Sequence, residues 1–160
     1  MNIHVLQVIL KNAGFDSGSA DGKLGPKTVQ AIKAKGLSPF AEDFVKNIFA
    51  EETLKEKKKL VEETSKIILG NSPNGVCAAL LALAGRTETT EALSKSPVPT
   101  LILVGEEDKL TPPAASQAMY EKSKGDSELI IIKDASHMSN LENPQAFNSA
   151  ILQFLIKHQK

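Results

Sequence analysis

Length, composition and charge restrict the chain to a few classes of protein. Its 160 residues carry 19 basic and 19 acidic side chains, so the net charge is zero, and aromatic residues make up 4% of the chain without any tryptophan. This balance excludes an electrostatic or base-stacking site for nucleic acid and gives no basic face for an anionic membrane surface. The single cysteine, Cys77, excludes an internal disulfide.

The N-terminus and the metal-binding residue types exclude further classes. No apolar run is long enough to span a membrane, and the first residues lack the basic and apolar regions of a signal peptide, so we expect a cytoplasmic protein. Histidine, cysteine and carboxylate residues do not cluster at metal-ligand spacing, and His4 and His158 are isolated, which predicts surface positions. We therefore expect no metal and no other cofactor.

The first 35 residues have the pattern of two short helices joined by a glycine-rich loop. Apolar residues at helical spacing predict a helix over 2–13, and Pro26 opens a second helix. These residues resemble the first half of the peptidoglycan-binding domain of cell-wall hydrolases. The loop between the two helices, D-G-K-L-G-P-K-T, is the specific part of the resemblance. The resemblance implies binding of cell-wall glycan; the alternative is a helix pair that serves only packing. The implied binding residues are Asp21, Gly22, Gly25 and Thr28.

Helices are predicted for most of the middle of the chain. Residues 38–69 have amphipathic helical periodicity, and a charge run within them is typical of a solvated face with Glu–Lys pairs. A small-residue apolar helix over 76–84 contains Cys77, and a short helix, E-A-L-S-K, leads into the first strand.

Two strands form the predicted centre of the fold. Thr100 to Val104 and Leu129 to Ile132 are short unbroken apolar runs, which is typical of parallel strands buried on both faces. A helix-length segment lies between them, so the fold class is α/β, mainly helical, with a short parallel two-stranded β-α-β core. After this core, Asn143 and Pro144 begin a closing helix with an apolar face. The residues of that face are Phe147, Ala150, Ile151, Phe154 and Leu155.

Two polar residues follow the ends of these strands. Asp108 comes just after the first strand and His137 just after the second. Because the carboxyl ends of parallel strands meet at one edge of the sheet, the Asp carboxylate and the imidazole are expected to form a hydrogen bond.

Residues 36–160 resemble the C-terminal half of an α/β-hydrolase of the esterase and lactone-hydrolase type. The motifs that carry the resemblance are V-P-T-L-I-L-V-G-E-E-D-K-L-T-P-P and D-A-S-H-M-S-N-L-E-N-P-Q-A-F. The resemblance implies that Asp108 is the acid and His137 the base of a catalytic triad. It also implies that Phe40 to Lys95 corresponds to the helical lid of the family.

The nucleophile of that family has no counterpart in the sequence. The family carries its serine on a G-x-S-x-G elbow, and no such motif occurs in these residues. Cys77, in G-V-C-A-A, is an alternative nucleophile, but helical periodicity precedes it and Ala79 occupies the last glycine position, which favours a buried thiol in a packed helix. The chain therefore looks like a chimera of residues 1–35 and residues 36–160, by truncation, recombination or engineering.

Three functions are compatible with this pattern. The first is a structural protein with little or no catalysis, in which Asp108 and His137 are a vestigial acid and base. The second is a weak or complemented carboxylic-ester or lactone hydrolase that uses the same two residues. The third is a peptidoglycan-binding module. Because a two-stranded sheet leaves its edges unpaired, we expect self-association to complete the incomplete hydrolase fold, as a homodimer or larger.

Overall fold

The structure is a computed structural model that describes residues 32, 34–84 and 89–159. The described residues form two compact units: the first comprises 32, 34–47 and 54–84, and the second comprises 48–53 and 89–159. In chain order the elements are α1 (Ser38–Ile48), α2 (Glu51–Glu56), α3 (Lys58–Leu69), α4 (Pro73–Ala84), α5 (Thr90–Lys95), β1 (Thr100–Gly105), α6 (Pro113–Lys122), β2 (Ser127–Ile132), α7 (Ser139–Glu142) and α8 (Pro144–Lys157).

The first unit is held together by an apolar core between helices. Phe40 and Phe44 lie one turn apart on α1, and their rings stack with centroids 5.2 Å apart. The apolar stripe predicted on this helix is therefore its packed face. The core consists of Ile32, Leu37, Phe40, Cys77 and Leu80, with Phe44, Ile68 and Val76 packed against it.

The helical stretch predicted for residues 38–69 is divided into three helices. The chain leaves the helical conformation at 49–50 and again at Lys57. The first break coincides with a long-range hydrogen bond, because the Ala50 amide donates to the Glu142 carboxylate at 2.7 Å. On α3 the predicted repeat is only partly packed, since no residue of that helix is buried and Ile67 is exposed.

The second unit contains the β-α-β core that the sequence predicts. Strands β1 and β2 are parallel, with Thr100 opposite Ser127 and Gly105 opposite Ile132. Helix α6 connects the two strands in the chain and packs on both of them. Helix α8 also packs on both strands. The prediction of a mainly helical chain with a short parallel two-stranded sheet is confirmed.

The prediction that both strands are buried on both faces is wrong for β2. Ile102 and Val104 of β1 are buried, but most of β2 is half-buried and Ile131 is 49% exposed. An apolar run indicates that both faces of a strand are suited to burial. Whether they are buried depends on which other elements pack on the strand. Within the described part of the chain, Ile131 lacks that cover.

The closing helix α8 begins as predicted. The Asn143 side chain accepts a hydrogen bond from the Ala146 amide at 3.2 Å, and Pro144 occupies the first turn, where its missing N–H costs nothing. Ala150 is buried and Phe154 half-buried, but Leu155, which the apolar spacing placed on the packed face, is exposed.

Several predictions lie outside the described residues. These are the helix over 2–13, the glycine-rich loop, and most of the helix that Pro26 opens, together with His4. The boundary between residues 1–35 and 36–160 stays a prediction. Among the described residues, no single helix is long and apolar enough to cross a membrane; one pair, Lys58–Leu69 with Pro73–Leu83, bent by 96°, reaches that length and composition only jointly.

Candidate active site

Asp108 and His137 meet at the carboxyl edge of the two-stranded sheet. His137 Nδ1 donates a hydrogen bond to Asp108 Oδ2 at 2.9 Å. Each residue lies on the loop that leaves its strand, and the parallel register brings the two loops side by side. The structure thus brings together the acid and the base that the family resemblance implies; their catalytic role remains a proposal.

Asp108 is fixed by four hydrogen bonds. Its Oδ1 accepts from the amides of Leu110 and Thr111, at 2.8 and 2.9 Å. Its Oδ2 accepts from the Thr111 hydroxyl at 2.8 Å, in addition to His137. A short polar side chain that binds the amides two and three residues onward shapes a tight turn, so the acid organises its own loop.

The electrostatics of this pair favour an ionised Asp108. The side chain is 4% exposed, and burial alone would raise the pKa of its carboxyl. Hydrogen bonds from His137 and Thr111, together with the charge that the His137 ring carries when it is protonated, outweigh burial, so the pKa of Asp108 lies below its ordinary value. An ionised carboxylate only accepts, so the proton of a neutral His137 ring is held on Nδ1.

The other ring nitrogen of His137 is available for chemistry. The side chain is 32% exposed, and Nε2 has no hydrogen bond to the described residues. With Nδ1 protonated, Nε2 carries the lone pair that a general base uses. The Thr111 hydroxyl lies 3.3 Å from Nδ1 and close to the same carboxylate oxygen, so it supports the ring from the acid side.

The two loops that carry the pair are bound to each other. The Glu107 amide donates to the Ala135 carbonyl at 2.9 Å, and the Ser136 hydroxyl donates to the Glu107 carbonyl at 3.2 Å. Gly105 makes this approach possible, because a Cβ there would collide with the carbonyl oxygens of Ala135 and Ser136.

Cys77 does not have the environment of a nucleophile. It lies on α4 at 3% exposure and belongs to the apolar core of the first unit. A thiol that attacks substrate must be accessible to that substrate. The structure therefore agrees with the prediction of a buried thiol in a packed helix.

A second polar cluster lies at the opposite end of β2. Asp126, Glu128 and His158 place ligand-type atoms within 4.8 Å of one another. Lys157 lies between the carboxylates, 3.2 Å from Asp126 and 2.7 Å from Glu128, so the cluster is held as an ion-pair group. His158 is not the surface residue that the sequence predicted: its side chain is 18% exposed and its ring packs on Phe154.

The sequence reasoning missed three residues that shape the site: Thr111, Gly105 and Glu142. Thr111 was detectable, since Asp followed by Thr three residues later is a turn pattern. Glu142 was not, because its carboxylate binds the Ala50 amide, 92 residues away in the chain, in addition to the amide of Ser136. The predicted glycan-binding residues, Asp21, Gly22, Gly25 and Thr28, lie outside the described residues.

This fold and this acid–base pair define the class: the chain has the fold of part of an α/β-hydrolase. An esterase from Thermogutta terrifontis aligns with a TM-score of 0.75 and 31% sequence identity, over 81% of this chain and 47% of that chain. The enol-lactonase from Burkholderia xenovorans LB400 aligns with a TM-score of 0.74 over 92% of this chain and 62% of that chain, at 18% identity, which shows the fold alone.

The family follows from the sequence match. Residues 28–144 match the family described as serine aminopeptidase, S33, and the chain belongs to this family of α/β-hydrolases. Residues 2–34 match the peptidoglycan binding domain, so the predicted resemblance of both segments is confirmed. 3-oxoadipate enol-lactonase 2 of Acinetobacter baylyi is 28% identical over 145 residues, which are 91% of this chain and 52% of the lactonase. The chain thus spans about half the length of this relative.

Proposed function

We propose that these 160 residues supply the acid and base of a carboxylic-ester or lactone hydrolase and have little or no hydrolytic activity alone. Several of the similar proteins have names that state action on esters or enol-lactones, which supports this substrate class. No G-x-S-x-G motif occurs in the sequence, so the group that His137 would activate is not among the residues described.

The observation that carries this proposal is the state of the imidazole. Nδ1 of His137 is bound to the buried Asp108 carboxylate, whereas Nε2 has no partner within the described residues. A base of this kind speeds acyl transfer by about 100-fold or more only when it faces a placed nucleophile. Without that nucleophile and without oxyanion donors, we expect His137 to promote ester cleavage no faster than imidazole in solution does.

Ester hydrolysis with histidine variants tests the proposal. We expect the chain to cleave an activated aryl ester no faster than free imidazole at the same concentration, and a fluorophosphonate probe to label no serine. His137→Ala is the informative variant, and His158→Ala, a histidine outside the pair, is the matched control. Turnover well above the imidazole rate that disappears in His137→Ala and persists in His158→Ala would establish instead a complete esterase or lactonase.

Self-association is the second part of the proposal. Within the described part of the chain, β1 and β2 each pair along one edge only, and unpaired strand edges promote association. An exposed apolar strip on α8, formed by Leu152, Leu155 and Ile156, adds a surface that is unfavourable in water. We propose a homodimer or larger assembly in which these surfaces are covered.

Binding of cell-wall glycan is the second candidate function. The match of residues 2–34 to the peptidoglycan binding domain favours it, and Asp21, Gly22, Gly25 and Thr28 are the residues concerned. Sedimentation with insoluble peptidoglycan tests it, with Asp21→Ala as the variant and Asp134→Ala, an exposed aspartate in the hydrolase-like part, as the control. Equal retention of both variants would reject a site at this loop.

A further inference from the structure

The loop that carries His137 is held on both sides of the histidine by one short segment of chain. The Met138 amide, on one side, donates to the Ile48 carbonyl at 3.2 Å. On the other side, the Ser136 amide donates to Glu142 Oε2 at 2.7 Å, and Glu142 Oε1 accepts from the Ala50 amide at 2.7 Å. All of these residues belong to the second unit.

Glu142 is an unusual residue to find in this position. Its side chain belongs to the buried residues, at 2% exposure, and glutamates are rarely buried unless their charge is compensated. The two short hydrogen bonds give both oxygens an amide donor, which offsets the cost of burying this polar side chain. Glu142 joins its own segment of backbone to the segment at Ala50, which lies 92 residues away in the chain. A buried carboxylate in this place positions backbone and not substrate.

We propose that Glu142 is a positioning residue that sets the orientation of the His137 ring through the backbone at Ser136. Ser136 is the neighbour of His137, so a shift of its amide rotates the Cα–Cβ bond that carries the ring. The Nδ1 bond to Asp108 is 2.9 Å long and depends on that direction. The carboxylate therefore acts on the imidazole indirectly, from behind the loop.

Glu142→Gln isolates this role because it keeps the size of the side chain. The glutamine has one acceptor oxygen and one NH₂ group, so one of the two amides faces a donor and its hydrogen bond is lost. Glu106→Gln is the matched control, since Glu106 is an exposed carboxylate on the neighbouring loop. Three properties are measured: exchange of the Ser136 and Ala50 amides, the ¹⁵N shifts of the His137 ring, and thermal stability.

We expect slow exchange of both amides in the unmodified chain and, in Glu142→Gln, exchange at least about tenfold faster at the amide that faces the glutamine NH₂ group, Ser136 or Ala50. The ring ¹⁵N shifts of the folded Glu142→Gln protein should move from the Nδ1–H tautomer toward a mixture of tautomers. Glu106→Gln should change none of these properties. A purely structural glutamate would lower stability and leave the ring spectrum of the folded protein unchanged, and that result would overturn the proposal.

The measurement remains decisive if Glu142→Gln does not fold. In that case the exchange rates of the Ser136 and Ala50 amides in the unmodified chain decide. Slow exchange at both amides supports the two hydrogen bonds to Glu142 on which the proposal rests, and exchange at the rate of exposed amides contradicts them. The inference rests on the proposed function only in treating His137 as a base. Because the ring spectrum requires no turnover, a chain without any esterase activity can still confirm or reject the role of Glu142.

Discussion

Replacement of Asp108 by asparagine is the sharpest test of how the acid is held. The carboxylate accepts four hydrogen bonds of 2.8 to 2.9 Å, two at each oxygen. The asparagine side chain would keep one acceptor oxygen, and its NH₂ group would face the two donors that had bound the other. The Thr111 hydroxyl can rotate so that it accepts from this NH₂ group, and His137 can change to the tautomer in which Nδ1 accepts. The hydrogen bonds are then not lost outright, and the free energy that is lost is the part contributed by the charge of the carboxylate.

The magnitude follows from the difference between charged and neutral hydrogen bonds. A bond to a charged acceptor contributes about 1.5–3 kcal/mol and a neutral one about 0.5–1.5 kcal/mol, so two retained bonds weaken by about 1 kcal/mol each. We expect Asp108→Asn to lower the free energy of unfolding by about 2 kcal/mol at neutral pH. Asp134→Asn is the control: Asp134 is exposed and has a φ of 54°, a conformation that asparagine tolerates, so its change should stay within about 0.5 kcal/mol.

The pH dependence of this difference provides a second check. Because the pKa of folded Asp108 lies below the ordinary value of 3.8, the stabilisation is complete above that value and is lost as the pH falls through the folded pKa. Urea unfolding at a series of pH values should show the gap between the unmodified chain and Asp108→Asn narrowing on the acid side. A gap that is independent of pH, or a variant as stable as Asp134→Asn, would refute the reasoning.

Three further predictions concern the loops, the closing helix and the assembly. Gly105→Ala should lower the free energy of unfolding by about 1–3 kcal/mol in urea unfolding, because its Cβ collides with backbone. The control is Gly70→Ala, at the end of α3, where a Cβ would come no closer than 3.3 Å to another atom, and equal stability of the two variants would contradict this. Asn143→Ala should cost about 0.5–2 kcal/mol, since the cap to Ala146 is lost; an unchanged thermal midpoint would argue against the cap. Sedimentation velocity should give a dimer or larger species, and a monomer across the accessible concentrations would reject the proposed association.

The meeting of Asp108 and His137 could be predicted from the sequence because their placement depends on local pattern, whereas their roles as acid and base are what the family resemblance implies. Two apolar runs separated by a helix imply parallel strands, and residues just past the ends of such strands lie at one edge. The exposure of Ile131 and the burial of His158 could not be predicted in this way. Each depends on which element covers a given face, and apolar periodicity is the same whether or not a neighbour is present.

Glu142 shows where sequence reasoning reaches its limit. A glutamate in N-L-E-N-P is typical of an exposed acid before a helix, and its burial depends on Ala50, a residue that the same reasoning placed inside a continuous helix. The break in that helix and the burial of the glutamate are one feature, because a helical Ala50 amide would bind a carbonyl of its own helix. Neither the break in the helix nor the burial of Glu142 could be inferred from the sequence without knowledge of the other.

The hydrogen bonds of the acid–base pair also identify which part of the chain maintains it. The supports of Asp108 and His137 described above come from residues 48–53 and 89–159, which form one compact unit. Among the described residues, the hydrogen bonds that hold the pair do not involve the core that contains Cys77. A base oriented in this self-contained way keeps its tautomer whether or not a nucleophile is present. The state of the imidazole supports a role as base, and the rate of ester cleavage tests whether that role is exercised.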